Sequence, residues 1–414
     1  LKQESDAVQK LKVLIVDDSA VVRRVLTEAL TGDPNIEVVG IAANGKIALA
    51  KIPHLLPDLV TLDVEMPEMD GLETLTEIRK AYPSLPVIMF STLTERGAQI
   101  TVDALALGAN DYLAKPSNSG SVGATVKAIQ DELIPKIKVF CKQTCPLTFA
   151  EPRSGEAACQ GYHLRTTAAS GDPGGLPSRI GRAVANPSSG GWPTRTLVKD
   201  TAGGPTQTAP RVDAIVIGTS TGGPNALTQI LPKLPADLPV PVLVVQHMPP
   251  VFTARLAERL DQLAALQVVE ASDGQAVSPG RIYLAPGDYH MMVQRHGTTV
   301  KIRLNQEAPE CSCRPAVDVL FRSAVGLWGA NVLSIILTGM GQDGMKGCQQ
   351  IRAAGGIVLA QDEATSVVWG MPGAVSRAGL AHDVLPLAEL PAAIDRHVRR
   401  GRPASPRISI GANT

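Results

Sequence analysis

Three hydroxyl side chains stand together in the stretch AIVIGTSTGGP: Thr219, Ser220 and Thr221, framed by Gly218, Gly222 and Gly223. An apolar run breaks into glycine just before a stretch of helical character, which reads as strand, turn and helix. The pattern G-x-S-x-G fits a nucleophile elbow, in which a sharp turn lifts a serine hydroxyl above a sheet edge. Backbone N–H groups at the helix start then face a developing oxyanion. A phosphate-binding turn is the competing chemistry, since it too opens a helix after a strand. Its P-loop form needs Gly-Lys-Ser/Thr, and its dinucleotide form needs G-x-G-x-x-G with an acid about 20 residues on. Neither pattern is present. A structural glycine bend stays open beside the elbow.

A serine nucleophile needs a base and a group that orients the base. This half of the chain offers His247, His290, His296, His382 and His397. His247 closes the apolar run VLVVQ and precedes Met248-Pro249-Pro250, which places an imidazole at the carboxyl end of a neighbouring strand. Asp343 lies in SIILTGMGQDGMKG, where another apolar run breaks into glycines and leads into a helix at the same edge. An ordinary helix N-cap is the alternative role for that aspartate. The α/β-hydrolase order of Ser, Asp and His would pair Asp343 with His382 instead, but AHDVL carries no turn signal that brings His382 to this edge. The order Ser220, His247, Asp343 is itself no objection, because geometry rather than order defines a triad.

A second constellation lies nearer the start. Asp17 and Asp18 end one apolar run, Asp63 ends LVTLD, Ser91 ends VIMFS, and Lys115 ends DYLAK ahead of Pro116. In a parallel sheet these ends share one edge, so three carboxylates converge there. Like charges that close are costly unless a cation neutralises them, and an all-oxygen site that keeps several waters suits Mg²⁺. An anionic group beside Asp63 would be held by the cation, the lysine and the hydroxyl. The fitting chemistry is phosphoryl transfer onto a carboxylate.

The elements that must position these groups define an α/β protein of two domains within 414 residues. Over residues 11–139, five short apolar strands alternate with helices, which implies a (βα)5 unit with a parallel sheet covered on both faces. The first helix places Val21, Val25, Leu26 and Leu30 on one face. Over 147–210 the periodicity is lost in a Gly/Pro/Ser/Thr-rich stretch that is expected to be a disordered linker. Residues 211–398 resume the alternation, with strands expected at 214–217, 242–246, 281–285, 334–337 and 357–360. They predict a doubly wound, mostly parallel sheet. HMMVQRHGTTVKIRLN (290–305) reads as a β-hairpin on that sheet.

Composition narrows the function. The 39 basic and 39 acidic residues cancel, and only 3% of the chain is aromatic. Neither a phosphate-backbone ligand nor a stacking platform for bases is indicated. The six cysteines lack zinc-finger spacing and are expected to be free thiols. No apolar run approaches the roughly 18 residues that span a bilayer. LKQESDAVQK lacks the apolar core of a signal peptide. The expectation is a cytoplasmic protein with no membrane insertion and no nucleic-acid partner.

The first half resembles the receiver domain of bacterial response regulators over its whole length. That resemblance implies Asp63 as phosphoacceptor, in LDVEMPEMDG. It implies Mg²⁺ held by Asp18, Asp63 and the backbone carbonyl of Glu65, with Asp17 nearby or acting through water. Ser91 and Lys115 would contact the phosphoryl group, and Tyr112 matches the aromatic position that rotates on switching. The second half carries IGTSTGGP, VVQHMPP, APGDYHM, RPAVDVLF, LTGMGQDG and VVWGMPGAV in this order. It resembles the catalytic domain of CheB-type chemotaxis protein-glutamate methylesterases.

The resemblance implies Ser220 as nucleophile, His247 as general base and then acid, and Asp343 as orienting carboxylate, with no cofactor for the esterase. The backbone N–H groups of Thr221 and Met340 would form the oxyanion hole. The implied substrates are glutamate γ-methyl esters on the cytoplasmic helices of chemoreceptors, with glutamine deamidation as a companion activity. The implied phosphodonor is a chemotaxis histidine kinase. Two positions depart from the family pattern: Cys313 stands where a histidine is common, and Gln342 where asparagine is common. The rival from another class is a receiver joined to a catalytically dead domain that acts as an adaptor.

Overall fold

The structure, a computed structural model, describes residues 10–115, 122–141, 211–400 and 402. The linker expected over 147–210 lies outside the described residues.

The N-terminal half runs β1 (Leu11–Val16), α1 (Ala20–Thr31), β2 (Ile36–Ala42), α2 (Gly45–Leu55), β3 (Leu59–Asp63), α3 (Gly71–Ala81), β4 (Val87–Ser91), α4 (Glu95–Ala106), β5 (Asp111–Ala114) and α5 (Val122–Phe140). The sheet order is β2-β1-β3-β4-β5, and every pairing is parallel. β3 and β4 are buried at every residue, as strands covered by helices on both faces must be. The expected apolar face of α1 holds only in part. Leu26 and Leu30 are buried with Ala29, whereas Val21 is 71% exposed. Val21 sits in the first turn, ahead of the point where α1 packs on β2 and α5.

The second half runs β6 (Ala214–Thr219), α6 (Gly223–Ile230), β7 (Val242–Gln246), α7 (Phe252–Leu263), β8 (Gln267–Glu270), β9 (Arg281–Leu284), β10 (His290–His296), β11 (Thr299–Asn305), α8 (Val317–Trp328), β12 (Val332–Ile336), α9 (Met345–Ala353), β13 (Ile357–Gln361), α10 (Met371–Arg377), β14 (Asp383–Leu385) and α11 (Leu390–Arg399). Seven strands form one sheet in the order β14-β13-β12-β6-β7-β9-β8, all parallel. β8 and β14, at the two edges, are short and were not anticipated from the sequence.

The hairpin exists but is not part of that sheet. β10 and β11 form a separate antiparallel two-stranded sheet, and β11 also bridges the segment around Ala276. Met291, Val293 and Ile302 bury against α8, and Ser323 of α8 accepts from Val293 N at 3.1 Å. Its apolar face is thereby covered by a helix rather than by extending the main sheet.

Strand order locates both sites. In the first sheet β1 is flanked by β2 and β3, and in the second β6 is flanked by β7 and β12. At each of these strands the chain reverses its direction of winding and opens a crevice beyond the carboxyl ends, where α/β sheets hold ligands. Asp17, Asp18 and Asp63 lie at the first crevice. The loops after β6, β7 and β12 carry Ser220, His247 and Asp343 to the second.

The described residues pack as one compact unit. One buried apolar cluster runs from Leu62, Met89 and Tyr112 to Leu227, Phe252 and Leu256. α4 packs on α7 and α6. Arg259 Nη1 meets Asp103 Oδ1 at 3.2 Å, and Arg255 Nη2 meets Glu95 Oε2 at 3.0 Å.

Candidate active site

At the first crevice, oxygens of Asp17, Asp18 and Asp63 all lie within 4.8 Å of one another. Asp17 and Asp63 are buried and Asp18 is exposed. Lys115, just past β5, reaches Asp63 Oδ1 at 2.8 Å and Asp17 Oδ2 at 2.9 Å. Its contact with Asp17 Oδ2 is an ion pair that lacks hydrogen-bond geometry, so that buried oxygen has no hydrogen-bond partner. Burial pushes the Asp63 pKa up to about 6, with Lys115 opposing and the Asp17 charge adding to the rise. Three crowded carboxylates, one buried oxygen without a hydrogen bond and an exposed Asp18 fit a hydrated divalent cation.

Ser91 ends β4 as expected, but its hydroxyl donates to Gly97 O at 3.1 Å rather than facing Asp63. The Glu65 side chain turns away to Arg96, with Nε at 3.2 Å. Tyr112 is buried and stacks on Phe252 of α7. Lys136, not singled out in the sequence, donates to Tyr112 O at 2.7 Å and pairs with Asp111 at 3.1 Å.

At the second crevice, Ser220 follows β6 directly and its backbone is tied on both sides. Ser220 N donates to Thr338 O at 3.1 Å, and Ser220 O accepts from Gly223 N at 2.8 Å and from Gln246 Nε2 at 2.9 Å. Gly222 turns the chain into α6 with φ of 77°, a value that favours glycine. Gly339 lies so close that a Cβ there would stand 2.9 Å from Ser220 Cβ and 2.3 Å from Met371 Sδ. These contacts bring IGTSTGGP, LTGMGQDG and VVWGMPGAV to one point. Among the described residues, the Ser220 hydroxyl and the N–H groups of Thr221 and Met340 have no hydrogen-bond partner.

His247 Nε2 lies 2.8 Å from Asp343 Oδ2. The same carboxylate accepts from Val317 N at 2.6 Å, Asp318 N at 2.9 Å and Gly344 N at 2.9 Å, at the start of α8 and just before α9. Burial works to raise the Asp343 pKa, but His247 and these N–H groups outweigh it and hold the pKa below the usual carboxylate value. Burial likewise opposes charge on His247. Hydrogen bonds and charge at Asp343 and Cys313 prevail and lift it to about 9. His247 Nδ1 faces Cys313 Sγ at 3.4 Å.

The other histidines lie elsewhere. His290 is buried, with Nδ1 accepting from Ala316 N at 3.2 Å and Nε2 bonded to Ala308 O at 3.1 Å. His382 Nδ1 accepts from Val358 N at 2.9 Å, at the starting end of β13 and away from the crevice. That position removes the pairing of Asp343 with His382.

Two supporting side chains escaped the sequence reading. Gln246 Nε2 bridges Ser220 O and His247 O at 2.9 and 3.0 Å, and joins the two loops. Thr338 Oγ1 donates to Thr221 O at 3.0 Å and accepts from Val368 N at 2.9 Å. The available signal was a polar residue closing an apolar run, Gln246 at the end of β7 and Thr338 just past β12. Gln342 is exposed and belongs to neither network.

The fold and its two crevices define a protein in which a receiver-like acidic site is joined to an α/β domain with a serine elbow and a buried His–Asp pair. A family model described as "CheB methylesterase" matches residues 215–394, and one described as "Response regulator receiver domain" matches residues 13–127. A protein-glutamate methylesterase/protein-glutamine glutaminase of Trichodesmium erythraeum is 48% identical over 94% of this chain and 99% of its own length. A protein of the same name from a Nocardioides species is 49% identical over 95% of this chain and 97% of its own. The solved CheB methylesterase catalytic domain of Thermotoga maritima is 43% identical, with a TM-score of 0.44, over 45% of this chain and 98% of that one. The chain belongs to the CheB methylesterase family and is a methylesterase with its own receiver domain.

Proposed function

We propose that this enzyme hydrolyses glutamate γ-methyl esters on the cytoplasmic helices of chemoreceptors, and deamidates receptor glutamines, by a Ser220–His247–Asp343 mechanism under receiver control. The observation that carries the reading is the 2.8 Å His247–Asp343 contact at the edge where Ser220 directly follows the neighbouring strand. The names of the relatives support the substrate class.

Ser220 Oγ attacks the ester carbonyl while His247 Nδ1 takes its proton, and Asp343 holds the imidazole through Nε2. The oxyanion that forms faces the N–H groups of Thr221 and Met340, each free for it. The bond to the methoxy oxygen breaks, and methoxide leaves as methanol with the proton from His247. Water then gives a proton to His247 and attacks the acyl group, which releases the glutamate carboxylate and restores Ser220. In deamidation the same steps release ammonia.

At the receiver, Asp63 accepts a phosphoryl group from a chemotaxis histidine kinase. Mg²⁺, held by Asp18, Asp63 and the Glu65 carbonyl with Asp17 beside them, supplies charge neutralisation when bound. Lys115 pairs with the phosphoryl oxygens, and Ser91 leaves Gly97 O to do the same. In the unphosphorylated state the receiver restrains the esterase, and phosphorylation loosens that hold. Supporting this, α4 and Tyr112 pack on α6 and α7, the helices that begin just after the Ser220 and His247 loops.

A serine-directed phosphonate tests the site: it labels Ser220 in the full chain and fails to label it in His247→Ala. Equal labelling of both would show that His247 does not activate Ser220.

A further inference from the structure

His247 Nδ1 has a thiol beside it, and the loop that carries the thiol is built to keep it there. Cys311 and Ser312 adopt φ of 51° and 61°, a left-handed pair of non-glycine residues. The turn is closed by two backbone bonds, Cys313 N to Glu310 O at 2.8 Å and Glu310 N to Cys313 O at 3.1 Å. Glu310 is anchored to α8 through Arg322 Nη1 at 2.9 Å, and Arg314 is anchored through Nε to Asp288 at 3.0 Å. The Cys313 thiol is therefore fixed from both sides, half-buried, with Sγ 3.4 Å from an imidazole whose other nitrogen is held by a buried carboxylate. That is a thiol, base and acid in line, and it shares its base with Ser220.

We propose that Cys313, with His247 and Asp343, forms a thiol-modification site inside the catalytic centre, which takes hydroperoxides and small soft electrophiles and silences the esterase when modified. The proposal rests on the Ser220–His247–Asp343 reading for its effect on turnover, but not for the reactivity of the thiol. His247 Nδ1 takes the thiol proton, and the sulfur that remains is the nucleophile. With a hydroperoxide, an S–O bond forms and the O–O bond breaks. Sulfur is oxidised by two electrons to the sulfenic acid, and the departing alkoxide or hydroxide takes the proton back from His247 as alcohol or water. With an alkyl halide, an S–C bond forms and halide leaves. In either product the enlarged side chain stands against the nitrogen that Ser220 needs.

The other described cysteines serve as internal references. Cys348 is buried, Cys141 half-buried and Cys311 exposed, and burial raises the thiol pKa of each, that of Cys348 most. Reactivity governed by exposure alone would put Cys311 first. The proposed site puts Cys313 first.

The full-length protein is treated with iodoacetamide, and each cysteine is followed by mass spectrometry alongside demethylation of labelled receptors. Cys313 is expected to react on the order of tenfold faster than Cys311, and His247→Gln removes that advantage. Turnover falls in step with Cys313 labelling. Cys313→Ala, compared with its own untreated sample, keeps its turnover under the same treatment. Hydrogen peroxide reproduces the loss, and dithiothreitol reverses it. Cys313 labelling no faster than Cys311 in the wild-type chain overturns the site, and so does full labelling with unchanged turnover. Failure of the serine reading is scored apart: Ser220→Ala would then retain turnover, while the Cys313 labelling rate still decides the thiol.

Discussion

Tyr112 and Phe252 stack with ring centroids 5.1 Å apart and planes 15° from parallel. Tyr112 lies in β5, the receiver's last strand, and Phe252 opens the helix that follows the His247 loop. Between His247 and Phe252 the chain passes through Val251, a β-branched residue at φ of 74°. Such a residue holds this conformation only where its surroundings enforce it. Val251 packs against the same buried cluster that holds Tyr112 and Phe252. The receiver control proposed above would use this contact to join Asp63 to the esterase crevice.

The restraint should respond to charge at the same face. Arg259→Glu sets two acids against each other at Asp103 and is expected to raise turnover of the unphosphorylated chain. Adding Asp103→Arg should bring turnover back down. Partly exposed pairs of this kind contribute about 0.2–1 kcal/mol, so the change is a few-fold rather than a switch. Turnover that ignores both substitutions would count against receiver restraint through α4 and α7.

The proposed phosphorylation control should depend on the acidic site. A small acyl-phosphate donor should stimulate receptor demethylation in the presence of Mg²⁺ and fail after chelation. Asp63→Asn should remove the response while leaving the unstimulated rate measurable. Stimulation that persists in Asp63→Asn would move the phosphoacceptor elsewhere.

The pH profile carries the signature of His247. Its pKa is raised to about 9, so the ring is charged at neutral pH and becomes a base only as pH rises. The pH–rate profile for demethylation should therefore climb through the alkaline range. Cys313→Ala removes one of the contacts that raise this pKa, which should move the climb to lower pH. Linkage gives the opposite slope for stability. The contribution of charged His247 is complete below about 6.5, the ordinary histidine value, and is lost as pH rises through about 9.

Asp343 has four hydrogen bonds to accept, from His247, Val317, Asp318 and Gly344. Asp343→Asn offers one oxygen in place of two and turns an NH₂ towards donors. Loss of imidazole orientation is expected to lower kcat by up to about 10⁴-fold, as in serine proteases. The mispaired buried amide should also cost about 1–3 kcal/mol in denaturant unfolding. A variant with parent kcat would show that Asp343 only caps its neighbouring turns.

Much of this architecture was legible because parallel strands announce themselves as short apolar runs that end in polar residues. The runs that end at Asp63, Ser91 and Gln246 became β3, β4 and β7 with those bounds, and the sheet edge followed. What sequence could not show was what tertiary contact decides. β8 and β14 are short edge strands whose pairing depends on neighbours. The hairpin's alternation fitted any sheet, and α8 decided which face it covers. Ser91 shows the same limit at side-chain level, since residue type placed it at the edge but not towards Gly97 O. The contact between Cys313 and His247 spans 66 positions and depends on a turn formed by Cys311 and Ser312.

The central claim is that Ser220 is the nucleophile of a receptor methylesterase. Its most direct test is methanol release from methyl-labelled chemoreceptors by the full chain and by Ser220→Ala. The variant is expected to lose turnover by on the order of 10³-fold or more while still taking up phosphate at Asp63. Demethylation by Ser220→Ala at the parent rate would contradict it.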